Sequence, residues 1–167
     1  MSNRCEFFCM LHVGVIGFGT IGKRVADAVR AQPDMTVAGI AKRTPNFEAK
    51  IAETREYDIY AAGDDVVGDF KRANCPVAGT VDGLLVMSDV VVDATPASIG
   101  AANAELYADH DTSAIFQGGE DADVADVSFN ARANYGAAVG AETARVVSCN
   151  TTGLSRLLAA ACASESN

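Results

Sequence analysis

The chain alternates short, wholly apolar runs with longer segments of helical spacing. "LHVGVIGFG" (11–19) is an apolar run that ends in glycines. The segment after it, "TIGKRVADAVRAQ" (20–32), carries Ile21, Val25, Ala28 and Val29 at helical spacing. "MTVAGIA" (35–41) predicts a second buried strand. "TPNFEAKIAETRE" (44–56) predicts a helix with Pro45 in its first turn. Short strands are expected at 57–62 and 76–80, with helices at 64–73 and 82–87. "DVVVDAT" (89–95) is a strong strand closed by Pro96, and 99–110 reads as a helix. Strands at 113–119, 126–129 and 144–149 then alternate with helices at 131–139 and 151–163. Strands alternating with helices predict an α/β fold, a doubly wound parallel sheet of Rossmann type.

Composition narrows the class. The chain has 167 residues, 49% of them apolar and 21% charged, which suits one packed domain and argues against disorder. No apolar run approaches the roughly 18 residues of a membrane span, and the start lacks the features of a secretory signal. A cytoplasmic location is expected, with no membrane partner. The net charge of −9 argues against nucleic acid as a partner. Asp outnumbers Glu and Arg outnumbers Lys, a balance that suits a high-salt host, where charge repulsion is screened. The five cysteines, Cys5, Cys9, Cys75, Cys149 and Cys162, are odd in number and irregularly spaced, so neither a disulfide framework nor a metal site is expected.

Gly17-Phe18-Gly19-Thr20-Ile21-Gly22 fits G-x-G-x-x-G between a strand and a helix, the context that gives the pattern its meaning. Gly17 is expected to make the tight turn, Gly19 to admit a pyrophosphate and Gly22 to let helix and strand pack closely. The helix N-terminus supplies N–H groups and a positive dipole end. A bare glycine-rich turn is the plainer reading of the same residues. NAD sites carry a carboxylate at the end of the second strand to hold the ribose. Here Ala41-Lys42-Arg43-Thr44 stands instead, and either Lys42 or Arg43 suits a 2′-phosphate. NADP is therefore favoured over NAD.

A second candidate is Cys149, in "ARVVSCNTTGL" (144–154), between a strand and a helix. A cysteine reacts as its thiolate, and a helix N-terminus favours negative charge. Asn150, Thr151 and Thr152 add donors and capping groups. Physics alone leaves a reactive thiol and a buried strand-end cysteine evenly matched.

"GFGTIGKRVADAV", "FQGGEDADVADVSFNARANY" and "RVVSCNTTGL", in that order, resemble archaeal-type glyceraldehyde-3-phosphate dehydrogenase from about Leu11 to Leu158. One departure is Ile16, where the family has Asn before the first glycine. The resemblance implies that Cys149 attacks the substrate aldehyde, with Ser148 and Asn150 flanking the carbonyl. It also implies that Thr20 and Ile21 sit at the cofactor phosphates and that Gly119 approaches the cofactor. The implied reaction takes glyceraldehyde 3-phosphate, phosphate and NAD(P) to 1,3-bisphosphoglycerate, in a cytoplasmic homotetramer of glycolysis or gluconeogenesis. The family's base is a histidine in a second, catalytic domain. Neither His12 nor His110 matches it, so that domain is expected to be missing and the chain truncated. Residues 1–10 read as an extension of doubtful origin, with Met10 as the expected start. Residues 11–158 read as the NAD(P)-binding domain and 159–167 as a polar tail. The alternatives are a non-catalytic NADP-binding module or degraded paralogue and, ranked below, another Rossmann dehydrogenase of dihydrodipicolinate-reductase type.

Overall fold

In a computed structural model, residues 10–164 are described. Eight strands form a single sheet in the order β4-β3-β2-β1-β5-β6-β8-β7, and every pair is parallel. The first half alternates β1 (Leu11–Ile16), α1 (Thr20–Arg30), β2 (Met35–Lys42), α2 (Phe47–Thr54), β3 (Ile59–Ala61), α3 (Asp64–Arg72), β4 (Gly79–Thr80) and α4 (Val81–Val86). The chain then crosses to the other side of β1 with β5 (Val90–Asp93), α5 (Ile99–Asp109), β6 (Ser113–Phe116), β7 (Val127–Phe129), α6 (Tyr135–Ala138), β8 (Thr143–Val146) and α7 (Cys149–Ser164). A 3-10 turn at Ala122–Val124, not foreseen from the spacing, leads into β7.

The central strands are apolar on both faces because helices cover both. Val13 to Ile16 of β1 are all buried. On one face Val15, Phe18 and Ile40 pack with Ala26 of α1, Ala52 of α2 and Phe70 of α3. On the other, Ile16, Val91 and Phe116 pack with Leu84 and Leu85 of α4 and Tyr107 of α5. The expected double winding is thus present.

Three local expectations are corrected. The buried stripe of α1 is Gly22-Ala26-Val29, while Ile21 is 46% exposed. Gly22 must face the sheet for the turn before it to close, and this rotates Ile21 outward. Pro45 lies outside α2, because Asn46 takes the N-cap and accepts from the Ala49 N–H at 3.3 Å. The helix expected over 131–139 shrinks to Tyr135–Ala138. Asn130 and Asn134 bond locally there instead: the Asn134 side chain accepts from the Asn130 N–H at 2.8 Å and donates to the Ser128 carbonyl at 2.9 Å.

Phe70 is fully buried between α3 and the sheet. Phe70→Ala is expected to cost about 3–5 kcal/mol in urea-induced unfolding, the range for deleting a buried aromatic ring.

Candidate functional site

All carboxyl ends of the strands lie at one edge. Gly17 leaves β1 with φ +85, and its N–H donates to the Ala41 carbonyl at 2.9 Å. A Cβ on Gly22 would stand 2.0 Å from the Gly17 carbonyl oxygen, so helix and turn touch where a side chain cannot fit. A Cβ on Gly19, by contrast, meets nothing within 4 Å. The second glycine of the fingerprint therefore faces open space, as a turn built for close approach requires.

That space is a cleft of about 590 Å³ across β1, β2 and β5, lined among others by Gly17, Gly19, Thr20, Ile21, Lys42 and Arg43. The two cations differ in standing. Lys42 is only 9% exposed, and no ion pair holds it among the described residues. Burial draws its ammonium below the ordinary lysine value, with Glu48 opposing and Lys23 adding to the shift. Arg43 is exposed and paired with Asp65 at 2.8 Å. An anion entering here meets an unpaired, partly desolvated Lys42, and must compete with Asp65 for Arg43.

Two buried carboxylates were not singled out from the sequence. Asp93, at the end of β5, is 1% exposed and accepts from the Thr95 N–H at 2.9 Å, Asn103 Nδ2 at 2.9 Å, Tyr107 Oη at 2.5 Å and the Thr95 hydroxyl. Glu120 is 5% exposed and takes the N–H groups of Ser98 at 2.9 Å and Gly100 at 3.0 Å, closing the N-terminus of α5. Arg145 of β8 reaches the Glu120 carbonyl at 2.5 Å. Signals for Asp93 were present: a carboxylate ends an apolar strand, Thr follows two residues on, and Asn103 and Tyr107 stand four apart on one helix face. Glu120 gives no comparable signal, since its partners lie about twenty residues away.

Ser148, Cys149 and Asn150 stand at the same carboxyl edge, after β8. Cys149 is the first residue of α7 and is exposed. The expectation that the helix begins at 151 is corrected, because Ser148 acts as the cap. Its hydroxyl accepts from the Thr151 N–H at 3.2 Å and its carbonyl from the Thr152 N–H at 2.8 Å. Gly119 has φ +85. Cleft-lining residues include Gly118 but neither Gly119 nor the 148–150 run. The cofactor and cysteine candidates thus share an edge of the sheet without forming one pocket among the described residues.

Both histidines lie towards the opposite edge. His12, near the start of β1, meets Asp89 at 3.2 Å. His110, expected to be solvated beside Asp109 and Asp111, is partly buried. Its Nδ1 is 2.9 Å from the Leu106 carbonyl and its nearest carboxylate is Asp82 at 3.6 Å.

Fold and cleft together define a Rossmann-type NAD(P)-binding domain. Residues 11–132 match the family model described as "Dihydrodipicolinate reductase, N-terminus", and the chain belongs to that family of domains. That match ends before Cys149. The chain is also 75% identical, over 150 residues, to the glyceraldehyde-3-phosphate dehydrogenase of Haloarcula marismortui, covering 90% of this chain and 42% of that protein. It is 65% identical over 150 residues to the protein of that name from Halobacterium salinarum, covering 90% of this chain and 45% of that one. The resemblance read from the three motifs therefore holds across most of the chain, and the sources of these relatives support a halophilic origin. The chain corresponds to the N-terminal half of these relatives and spans less than half their length. Among solved structures, an NAD-binding protein from Listeria innocua superposes with a TM-score of 0.50 at 13% identity. It covers 82% of this chain and 34% of that one, which shows the fold alone. No described helix is long and apolar enough to cross a membrane.

Gly22→Ala is expected to lower unfolding stability by about 1–3 kcal/mol, the usual cost of forced overpacking. Gly19→Ala is expected to cost less than about 1 kcal/mol in the same melt while still weakening dinucleotide binding. Burial, and then the charge of Asp93, hold the Tyr107 phenol well above the usual tyrosine range. The unfolded phenol releases its proton near pH ~10, so stability present below that pH is lost as pH rises past it. Melting temperature is expected to fall over pH ~9.5–11, less steeply in Tyr107→Phe. Some slope persists there, because burial also raises Tyr60.

Proposed function

We propose that this chain is the cofactor-binding part of an NAD(P)-dependent, phosphorylating glyceraldehyde-3-phosphate dehydrogenase, with NADP favoured. The observation that carries the reading is the placement of Cys149. It is an exposed thiol heading a 16-residue helix, at the sheet edge where the dinucleotide turn also opens. The names of the relatives supply the reaction class.

The residues present fit a dinucleotide. The volume of the cleft lies within the roughly 300–1,000 Å³ of small-molecule sites. Gly19 and the α1 N-terminus would take the pyrophosphate, with Thr20 and Ile21 beside it. Lys42, already withdrawn from water, is the favoured partner for a 2′-phosphate, and Arg43 is a second partner once it releases Asp65. Gly119 is retained as a contact beyond the cleft lining. When bound, the nicotinamide supplies the hydride acceptor.

The work of the chain itself centres on Cys149. Its thiolate forms a C–S bond to the aldehyde carbon of glyceraldehyde 3-phosphate, and that carbon gives up a hydride to become a thioester. Ser148 and Asn150 flank the carbonyl. Inorganic phosphate then attacks the thioester and releases the thiolate and 1,3-bisphosphoglycerate. With both histidines towards the far edge, the base comes from outside the residues described. The reading extends to a cytoplasmic homotetramer in glycolysis or gluconeogenesis, on the strength of the family resemblance. The rival reading, a nucleotide-binding module without catalysis, is favoured by the separation of Cys149 from the cleft.

Alkylation separates the two. Iodoacetamide labelling read by mass spectrometry is expected to modify Cys149 roughly tenfold faster than Cys162, an exposed cysteine farther along the same helix. Glyceraldehyde 3-phosphate is expected to slow labelling at Cys149 alone. Equal rates at both cysteines, unaffected by the aldehyde, would leave only the nucleotide-binding module.

A further inference from the structure

The cleft has a hydrogen-bond polarity, and Asp93 sets it. A carboxylate accepts and does not donate. The hydroxyls of Thr95 and Tyr107 each have one proton, and both protons go to Asp93. The Asn103 amide commits one of its N–H groups to the same carboxylate. Thr95, Asn103 and Tyr107 all line the cleft. What the two hydroxyls can offer a ligand is therefore lone pairs, and the orientation of the Asn103 amide is fixed by its bond to Asp93. The backbone at Thr95 is equally confined. Its N–H folds back on Asp93, and Gly118 passes so close that a Cβ there would lie 2.2 Å from the Thr95 carbonyl oxygen. Across the cleft the helix N-terminus and glycine turn present N–H donors, and beyond them stands Lys42. One side is built for anions and the other for groups that donate.

A dinucleotide binds across the switch point of such a sheet, one mononucleotide on each side. With the 2′-phosphate half assigned to β2 and Lys42, the β5 side receives the nicotinamide riboside, which carries ribose hydroxyls and a carboxamide NH₂. Those are the donors that an acceptor wall recognises. We propose that Asp93 is the positioning residue for this half of the cofactor, holding Thr95 and Asn103 as oriented acceptors. The inference rests on the dinucleotide reading of the cleft and adds to it the group that distinguishes its two halves.

The test uses the whole 167-residue chain and two probes, NADP⁺ and 2′,5′-ADP, which lacks the nicotinamide half. Binding is measured by calorimetry for wild type, Asp93→Asn and Asn103→Ala. In Asp93→Asn one oxygen can keep the turn at Thr95, while the new amide NH₂ confronts the Asn103 NH₂ donor to donor. Both variants are expected to lose roughly tenfold or more in NADP⁺ affinity while holding 2′,5′-ADP within about twofold of wild type, since its contacts are untouched. NADP⁺ affinity unchanged in Asn103→Ala overturns the proposal, as does a parallel loss of both ligands. If Asp93→Asn fails to fold, Asn103→Ala decides alone, because that side chain is only half-buried. A folded wild-type chain that binds neither probe overturns the dinucleotide reading and this inference with it. Wild type binding both probes, with no selective loss in the variants, overturns this inference only.

Discussion

A parallel strand pair cannot be closed by a tight turn. Each strand must be followed by a crossover that carries the chain back before the next can pair. In this protein the rule applies to every adjacent pair in an eight-stranded sheet. Its consequence is spatial. All strands finish at one edge, and the residues that follow them collect there whatever their distance in sequence. The Gly17 turn after β1, Lys42 at the end of β2, Asp93 at the end of β5 and Cys149 after β8 are neighbours of one edge for this reason. The order of strands then decides which of them share a cleft. β1 lies between β2 and β5, so the glycine turn is flanked by a cation on one side and a carboxylate on the other. β8 lies two places beyond β5, which keeps Cys149 outside that cleft.

Concentrating polar groups at a sheet edge brings the problem of burying them. Isolated charges taken out of water are costly unless hydrogen-bonded. Asp93 and Glu120 meet the condition in different ways. Asp93 gathers side chains and one backbone N–H into a network, while Glu120 closes a helix N-terminus with two backbone groups. Lys42 has no ion pair among the described residues. Burial depresses its ammonium and Glu48 supplies only partial support. An unpaired cation at the end of β2, across β1 from a well-bonded carboxylate at the end of β5, gives the cleft ends of different character.

What could be read from the sequence was what depends on neighbours in sequence. The strand and helix alternation, the glycine fingerprint and the cysteine near a strand-to-helix junction are all carried within about ten residues, and their order along the chain is as expected, although the last strand ends at Val146 and its helix begins at Cys149 rather than at 151. The face of α1 was misread by one position, because the spacing of Ile21 and Val25 could not reveal that Gly22 must touch the Gly17 carbonyl. The helix expected over 131–139 is too long because it takes in Asn134, whose side chain serves the local backbone instead, and because the Asn130 side chain just before it accepts from the Arg132 N–H. The partners of Glu120, at Ser98 and Gly100, lie across a helix and a strand, a separation no local pattern spans. Lys42 and Arg43 looked equivalent as a basic pair. Lys42 is the last residue of β2 and is buried with Ala41 beside it, whereas Arg43 has already left the strand and meets Asp65 in water.

The helix that begins at Cys149 also has a mechanical reading. Leu154, Leu157 and Leu158 are each more than 60% exposed, whereas the first turn is held by Ser148 and Val147. At about 1.5 Å of rise per residue, a tilt of ~10° would sweep Leu158 through about 2 Å and leave Cys149, at the fulcrum, nearly still. Such a tilt would move the leucines and leave the sulfur where the end of β8 places it.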